Sequence, residues 1–449
     1  MRVCARRGKA ARKPESSLLV MLENIARGLI GVAVLIGICY LLSNKRKSID
    51  WGIVAGGIGL QIILAVLVLA TPFGVVAGWV SGLVVEVLSY SDVGSEFMFG
   101  ELVDASRYGF AFKVLPIILL VSALTSLLYY LGVLQWVVFG FAWVMKRLMR
   151  LSGAESLATA ANVFVGQTEA PLVVKPYLAG MTRSELMALM TGGMATIAGS
   201  VFGLYVVTLG GGDEEAQKNV ARHLLTASIM NAPAALFIAK MLVPEREEIN
   251  EELFIPKETV GRNALDALAR GTTEGLKLAL NVAAILIVFV AAIALLNGFF
   301  GWVGGLGGGF LNGAVAKASG GVFDTFSMEA VLGFLFAPVA AAIGAEWGDM
   351  LELGQLLGTR MVSNEFVAYL ELGELQAAGT LHPKTIFLAT FALCGFANFA
   401  SIGIQIGGIG SLVPDRREDL AELGFKAMIG GTIASLLTAS IAGMFFAVG

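Results

Sequence analysis

The sequence predicts an all-α polytopic membrane protein with eight transmembrane helices and two re-entrant hairpins, arranged as an inverted repeat with broken helices. Of its 449 residues, 57% are hydrophobic and only 14% are charged, whereas a soluble domain averages about 25% charged residues. Several apolar stretches reach the roughly 20 residues that a membrane-spanning helix needs. Two carboxylates, Glu169 and Glu365, lie inside apolar stretches, where a charged side chain costs about 2.5–3.5 kcal/mol on insertion scales.

Eight stretches are predicted to span the bilayer, in order 24–43, 51–72, 112–135, 188–210, 221–243, 274–300, 385–412 and 420–448. Two more apolar stretches, 153–181 and 349–373, are each interrupted by a polar cluster. We interpret these two as re-entrant hairpins, because non-helical backbone at membrane depth must be buried in protein or line a cavity. Segments 136–150 and 326–343 precede the hairpins and are predicted to lie along the membrane surface.

These elements divide the chain into six segments. They are a basic tail (1–20), the N-terminal scaffold spans (21–135), a first repeat (136–210), scaffold spans five and six with linkers (211–325), a second repeat (326–412) and the last span (413–449). Each repeat holds a surface helix, a hairpin with a polar tip and a broken span. The hairpins are predicted to open from opposite sides, and inverted repeats of this kind place a substrate near the membrane midplane.

Basic residues predict the sides of the membrane on which the loops lie. If each hairpin enters and leaves on one face, a single side holds Lys45, Arg46, Lys47, Lys146, Arg147, Arg150, Arg183, Arg246, Lys257, Arg262, Arg416 and Arg417, and the other holds Asp92, Glu96, Glu101, Asp104, Asp213, Glu214 and Glu215. The positive-inside rule then predicts an inner-membrane protein with both termini outside. The basic tail 1–20 disagrees. No cleavage site follows it, so we interpret Met21 as the functional start.

Other features exclude several classes of site. Cys4, Cys39 and Cys394 show neither metal spacing nor a disulfide framework, and the two histidines argue against a histidine-based metal site. The glycine-rich run 304–309 lacks the Lys-Ser/Thr pair of a phosphate-binding loop. Transport by this chain would therefore draw on a gradient and not on nucleotide hydrolysis.

Polar residues at the hairpin tips and in the broken spans form a candidate binding set. Its donors and acceptors are Gln167, Thr168, Glu169, Asn364, Glu365, Asn398 and Ser401, and Phe396 offers an apolar face to a ring. The set holds no lysine or arginine, so it favours a neutral ligand with several hydroxyls, or an amide-bearing ring, over an anion. The free carbonyl groups of broken helices suit a hard cation.

Each feature also has a purely structural interpretation. The two carboxylates could form salt bridges with Lys175 and Arg360. Asn398 and Ser401 could make interhelical hydrogen bonds worth about 0.6 kcal/mol each, Thr196 could bond its own helix backbone, and the phenylalanine ring could be ordinary packing. The occurrence of two such hairpins in one chain favours a binding site over these alternatives.

Three stretches resemble the concentrative nucleoside transporter family. They are Gly166-Gln167-Thr168-Glu169-Ala170-Pro171-Leu172, Asn364-Glu365-Phe366-Val367-Ala368-Tyr369 and Cys394-Gly395-Phe396-Ala397-Asn398-Phe399-Ala400-Ser401-Ile402. The resemblance runs from about residue 24 to the C-terminus, and the eight spans resemble prokaryotic members. It implies import of a nucleoside such as uridine with Na+, by alternating access, in a homotrimer within the lipid bilayer, with no enzymatic activity and no nucleic-acid partner.

The resemblance also implies roles for individual residues. Gln167 and Thr168 would bind the nucleobase with Glu169 nearby, Phe396 would pack against the base, and Glu365, Asn398 and Ser401 would bind the ribose. Sodium would be held by the backbone carbonyl groups of Asn162, Val165, Thr196 and Ile197, together with the Thr196 hydroxyl. The Gln-Thr-Glu-Ala-Pro tip resembles sodium-coupled members more than proton-coupled ones.

Three alternatives remain at this point. A proton-coupled nucleoside symporter would use Glu169 or Glu365 as the proton carrier, since a neutral environment raises the pKa of a carboxyl group. An intramembrane enzyme with two glutamates would belong to another class, although short Asp motifs on helices are more typical of aspartyl dyads. A passive channel is disfavoured, because hairpins that enter from both sides suit alternating access better than an open pore.

Overall fold

The computed structural model describes residues 17–72, 74–103, 111–112, 115–250, 252 and 261–446, and within them the regular structure is helical. The helices are α1 (Ser17–Leu42), α2 (Trp51–Ala65), α3 (Gly74–Phe99), α4 (Leu115–Tyr130), α5 (Val133–Met149), α6 (Gly153–Asn162), α7 (Ala170–Val173), α8 (Lys175–Leu178), α9 (Arg183–Ala195), α10 (Gly199–Gly210), α11 (Glu214–Leu242), α12 (Ala264–Ala318), α13 (Met328–Ala342), α14 (Met350–Val362), α15 (Glu365–Ala377), α16 (Pro383–Ala392), α17 (Phe399–Leu412) and α18 (Arg417–Gly443). Predictions on Asp104, Lys257 and most of the basic tail lie outside the described residues.

The number of candidate spans agrees with the prediction. Seven described helical segments are long and apolar enough to cross a membrane, and the bent pair α4 and α5, with 78° between its helices, raises the number to eight. The predicted span 385–412 appears instead as two short helices, α16 and α17, separated by residues 393–398. The helical segment 264–318 is also interrupted, because Gly307, Gly308 and Gly309 have φ between 63° and 80°, a conformation that favours glycine.

Helix α3 was not among the predicted spans. The predicted topology has the acidic residues Asp92 and Glu96 in a loop, whereas the structure places both on a helix of 26 residues. These charges, together with Glu86, lower the hydropathy of the segment below that of its neighbours. If α3 crosses the membrane, every loop after it changes side. The sides on which the loops and the termini lie therefore stay a prediction.

The two hairpins and the two broken helices follow the predicted order. In the first half, hairpin 1 consists of α6, a tip at 163–169 and the short helices α7 and α8. The broken pair α9 and α10 follows it. In the second half, hairpin 2 consists of α14, a tip at 363–364 and α15, and the broken pair α16 and α17 follows. Helices α5 and α13 cover the stretches predicted to lie along the membrane surface, a location that stays a prediction, and α13 packs along α14.

The buried centre of the molecule is formed by α9, α11 and α18. The most apolar window of α11 is 89% buried, whereas that of α12 is only 6% buried. Small residues allow the central helices to approach closely: a Cβ atom added at Gly431 of α18 would lie 2.8 Å from the Met194 Cβ atom. Such small residues are typical of helix contacts in membranes. The exposed apolar outer helices suit contact with lipid.

Candidate substrate and cation site

A cavity of about 190 Å³ lies where the two hairpin tips meet the two helix breaks. Its wall contains all seven residues that the sequence analysis proposed for substrate binding, namely Gln167, Thr168, Glu169, Glu365, Phe396, Asn398 and Ser401. It also contains Asn364, Ser200 and Tyr205. The structure therefore brings together polar groups from the two halves of the chain, such as Tyr205 and Glu365, which are 160 residues apart in the sequence.

Helix caps fix the polar residues of the second repeat. The Asn364 side chain caps α15 by accepting a hydrogen bond from the Val367 N–H at 2.9 Å. In the same way, the Asn398 Oδ1 atom accepts from the Ser401 N–H at 2.9 Å and caps α17. Both helices therefore begin at the cavity, so their partially positive N-terminal ends lie next to any bound ligand.

Glu365 is the most strongly held carboxylate in the cavity. Its side chain is 5% exposed and accepts hydrogen bonds from the Tyr205 hydroxyl at 2.9 Å and from the Asn398 Nδ2 atom at 3.2 Å. A carboxylate has about four lone-pair positions, so further donors can still bind. Tyr205 was missed by the sequence analysis, because a tyrosine in an apolar span carries no local signal of its role.

The salt bridges considered as a structural alternative are not formed. Arg360 donates to the backbone oxygen atoms of Ala392 and Gly395 and to the Ser435 hydroxyl. Within the residues that the structure describes, no ion pair joins Arg360 to Glu365, and none joins Lys175 to Glu169. The two cavity carboxylates are therefore held by neutral donors or face the cavity itself.

A second network links hairpin 1 to α17. The Gln167 Nε2 atom donates to the Ser401 hydroxyl at 3.1 Å, and the Gln405 Nε2 atom donates to the Gln167 Oε1 atom at 3.0 Å. Gln405 also donates to the Met190 carbonyl group at 3.1 Å, which extends the link to α9. Gln405 was also missed, although a glutamine between Ile404 and Ile406 in an apolar helix is itself a signal.

Thr168 and Glu169 are exposed and line the cavity, while Phe396 is partly buried at its edge.

The opposite wall is apolar and belongs to α12, which contributes Leu278, Val282, Ile285, Leu286 and Phe289. These residues recur at the spacing of one helix face. No sequence signal identified them, because nearly every residue of that span is apolar. The cavity thus has a polar side and an apolar side, which suits a flat ring bearing polar substituents.

The four residues proposed for sodium lie at the end of α6, at the hairpin 1 tip and at the end of α9. The Thr196 hydroxyl donates to the Asn162 carbonyl group and to the Gly192 carbonyl group, both at 3.0 Å. It therefore bonds the backbone of its own helix, which agrees with the purely structural interpretation of Thr196. It also joins α9 to hairpin 1. The Thr196 carbonyl group accepts from the Phe396 N–H at 3.3 Å, which ties the two helix breaks together.

Several oxygen atoms around this point remain available to a cation. The Asn162 Oδ1 atom is buried, and no described residue donates a hydrogen bond to it. Among the described residues, no donor reaches the carbonyl groups of Val165 or Ile197. Neutral oxygen ligands of this kind suit hard cations. The tip itself is fixed next to them, because the Gly199 N–H donates to the Phe164 carbonyl group at 3.0 Å.

Sequence models of three protein families match the chain. Residues 30–102 match the N-terminal region of Na+ dependent nucleoside transporters, and residues 223–443 match the C-terminal region of the same transporters. Residues 111–212, which include hairpin 1 and the broken pair α9 and α10, match a gate domain described as nucleoside recognition. Together the three matches extend over most of the chain.

Relatives of similar length match as well. An uncharacterized transporter of Haemophilus influenzae is 42% identical over 437 residues, which cover 95% of this chain and 99% of the relative. The structure of CNTnw in an inward-facing, substrate-bound state has a TM-score of 0.84 and 40% identity, covering 94% of this chain and 99% of that one. A CNTnw variant in an outward-facing state also gives a TM-score of 0.84 with 40% identity, covering 94% and 97%.

Proposed function

This chain belongs to the family of Na+-dependent, concentrative nucleoside transporters, and we propose that it imports uridine or a similar nucleoside with Na+ as its coupling ion, working as a homotrimer. The family transports and does not catalyse, so the intramembrane-enzyme alternative is set aside. Structures of the similar protein CNTnw exist in outward-facing and inward-facing states. Alternating access is therefore the mechanism of this transporter, and the passive channel is set aside with the enzyme.

The proposed nucleoside site is the cavity between the hairpin tips. The observation that carries it is the convergence of seven predicted polar and aromatic residues on one cavity with a polar and an apolar side. We assign the ribose to Glu365, Asn398 and Ser401, since a carboxylate with free lone pairs accepts sugar hydroxyl groups well. We assign the base to Gln167 and Thr168, with Glu169 nearby and Phe396 against the ring.

The proposed sodium site lies beside the base subsite. Its ligands are the carbonyl groups of Asn162, Val165, Thr196 and Ile197 with the Thr196 hydroxyl. The unpartnered Asn162 Oδ1 atom supports this assignment, because a buried acceptor without a donor is rare in a folded protein. A cation here would hold the hairpin 1 tip in place, so Gln167 would already be positioned for the base. Binding of the ion and the nucleoside would then strengthen each other equally.

The proposed setting is the inner membrane, with both termini outside and three copies of the chain in each transporter. The exposed apolar faces of α1 and α12 supply the surface that lipid or neighbouring subunits would cover. Labelling single cysteines in the loops from either side of the membrane would test the orientation. Mass measurement of the detergent-solubilised protein would test the number of subunits.

Uptake of labelled uridine into proteoliposomes tests the transport proposal. We expect uptake against a concentration gradient when an inward sodium gradient is imposed, and no accumulation without a gradient. Accumulation that follows an imposed proton gradient and is indifferent to sodium would replace the sodium assignment with the proton-coupled alternative. The variant Glu365→Gln in the same liposomes provides the control for uptake that does not pass through the proposed site.

A further inference from the structure

Arg360 is a buried cation that makes no direct ion pair with a carboxylate among the described residues, although Glu365 lies close enough to interact with its charge. Its side chain is 1% exposed and lies on α14, three residues before the hairpin 2 tip. The Nη1 atom donates to the Ala392 carbonyl group and, at 2.7 Å, to the Ser435 hydroxyl, while the Nε atom donates to the Gly395 carbonyl group at 3.3 Å. The Nη2 atom is buried without a hydrogen-bond partner among the described residues. A buried charge held this way needs a favourable local field to compensate for lost hydration.

The end of helix α16 supplies such a field. Ala392 is the last residue of α16, and Gly395 lies in the break that follows it. The last carbonyl groups of a helix have no partners within the helix and carry a partial negative charge of about half an electron. The Arg360 guanidinium group is therefore the counter-charge of the α16 C-terminus at the centre of the molecule.

The equivalent helix end of the first repeat, that of α9, has no protein cation among the described residues. The Ala195 carbonyl group accepts from the Asn231 Nδ2 atom at 2.7 Å, and the Thr196 carbonyl group accepts from the Phe396 N–H. All of these donors are neutral. The two helix ends thus differ in charge, since a fixed cation from hairpin 2 reaches the α16 end, whereas the described donors at the α9 end are neutral.

The two ends also lie back to back. The Asn231 amide bridges them, because it donates to the Cys394 carbonyl group at 2.9 Å as well as to that of Ala195. A Cβ atom added at Gly395 would lie 2.5 Å from the Ala195 carbonyl oxygen. Two partially negative helix ends therefore meet in the interior, and their mutual repulsion is relieved when each has a cation.

We propose that Arg360 is a tethered cation, fixed to the chain, that neutralises the C-terminal end of α16. The exchangeable coupling cation would neutralise the C-terminal end of α9 in the same way. One exchangeable cation per nucleoside is then sufficient. Arg360 is also a positioning residue, since it links α14 to the break that presents Asn398 and lies five residues before Glu365. This inference rests on the proposed sodium site.

Chemical rescue of Arg360→Ala tests the tethered charge. We expect uridine binding to the purified full chain at fixed sodium to weaken about tenfold or more, because hydrogen bonds to charged groups are the strong ones. Millimolar guanidinium chloride should restore binding, whereas urea, a neutral molecule of the same shape, should not. Arg270→Ala is the matched control, because Arg270 is exposed and its ion pair among the described residues is with Asp266, one turn away on α12. Unchanged affinity, or equal rescue by urea, would overturn the proposal.

Two further measurements keep the proposal open to refutation if Arg360→Ala does not fold. Arg360→Lys keeps the charge and Arg360→Met keeps much of the length, so the lysine variant should retain uridine binding and the methionine variant should lose it. Equal behaviour of the two would contradict a role for charge.

In wild-type proteoliposomes, the ratio of labelled sodium to labelled uridine taken up should be one, and a ratio of two would refute the single exchangeable cation.

Thermal unfolding without nucleoside separates this inference from the transport proposal. We expect millimolar guanidinium to raise the unfolding temperature of Arg360→Ala and to leave that of the wild type unchanged, because denaturation needs molar concentrations. This result would support the tethered cation even if the wild type failed to take up uridine, in which case only the transport proposal would fall. A guanidinium response identical in the two proteins would refute the tethered cation even with normal transport.

Discussion

Glu365 shows how a single side chain can serve both the fold and a ligand. Its carboxylate accepts hydrogen bonds from Tyr205 and Asn398, which lie on α10 and next to α17. These two donors hold the carboxylate at the cavity wall in one orientation. They also replace part of the water that an ionised group loses on burial. A ligand hydroxyl would then meet an acceptor that needs no rearrangement.

Replacing this carboxylate should therefore weaken nucleoside binding without unfolding the protein. Glu365→Gln keeps the shape but loses the charge-assisted bonds, so we expect uridine to bind about tenfold more weakly or worse. Equilibrium binding of labelled uridine would measure the effect. Glu371→Gln is the matched control, because Glu371 is on the same helix but bonds Gln355 and Thr359 outside the cavity. A loss of equal size in both variants would contradict the assigned role.

Thr196 is a second residue with a separable effect. Its hydroxyl is the only side-chain ligand proposed for sodium, and Thr196→Ala removes it while the carbonyl groups remain. We expect the sodium concentration for half-maximal uptake to rise about threefold to tenfold, in line with one lost net interaction, with little change at saturating sodium. Thr208→Ala provides the control, since among the described residues the Thr208 hydroxyl donates to the Leu204 carbonyl group of its own helix. Identical sodium curves for wild type and Thr196→Ala would refute this ligand.

At the scale of elements, the site depends on two broken helices whose breaks contact each other. The breaks are fixed by cross-links between the repeats, including the Phe396 N–H bond to the Thr196 carbonyl group and the Asn231 bridge. Gly395 permits this approach, because its φ of +141° and its contact with the α9 end both exclude a side chain. The positions of the hairpin tip residues therefore depend on the contacts of these breaks as well as on the hairpins themselves.

Gly395→Ala should therefore disrupt the site through the backbone. The added methyl group would meet the backbone of Ala195, which cannot move aside as a flexible side chain can. We expect a lower unfolding temperature and a loss of uridine binding, measured on the detergent-solubilised protein. The control is Gly403→Ala on α17, where a Cβ atom meets nothing within 4 Å and alanine favours the helix. Normal binding by Gly395→Ala would show that the close approach of the two breaks is dispensable.

At the scale of the whole molecule, a buried ionic cluster joins hairpin 1 to the central helices. Lys240 of α11 contacts the Glu155 carboxylate at 2.8 Å and the Glu245 carboxylate at 3.0 Å, and it donates to the Ser184 hydroxyl. Glu155 also closes the capping box at the start of α6 with Ser152. Hairpin 1, α9 and α11 therefore meet at one charged point.

Removing the central charge of this cluster should destabilise the protein strongly. Lys240→Met leaves Glu155 buried without its cation, and breaking a buried pair from one side costs about 3–5 kcal/mol. The expected result is a marked fall in the unfolding temperature. Lys218→Met is the control, because Lys218 makes an exposed pair with Glu214 and exposed pairs contribute little. If both variants unfold at the wild-type temperature, the cluster does not hold the hairpin in place.

The sequence by itself determined the class of protein, most of the spans and the two hairpins. Long apolar stretches such as α2 and α11 are recognisable because membrane insertion depends on the local composition of one segment. The hairpin tips were recognisable because Glu169 and Glu365 are polar where the neighbours are not. The same local criterion missed α3, since its acidic residues lower the hydropathy of an otherwise helical segment.

Only the tertiary structure decided which residues form the walls of the cavity and which hydrogen bonds hold them in place. Tyr205 and Glu365 are 160 residues apart, and Gln167 and Gln405 are 238 apart, so no local pattern can pair them. The apolar wall of α12 and the carbonyl partners of Arg360 are likewise set by packing between distant helices. Hydropathy is a property of each segment alone, whereas hydrogen-bond partners and cavity walls exist only once the segments have assembled.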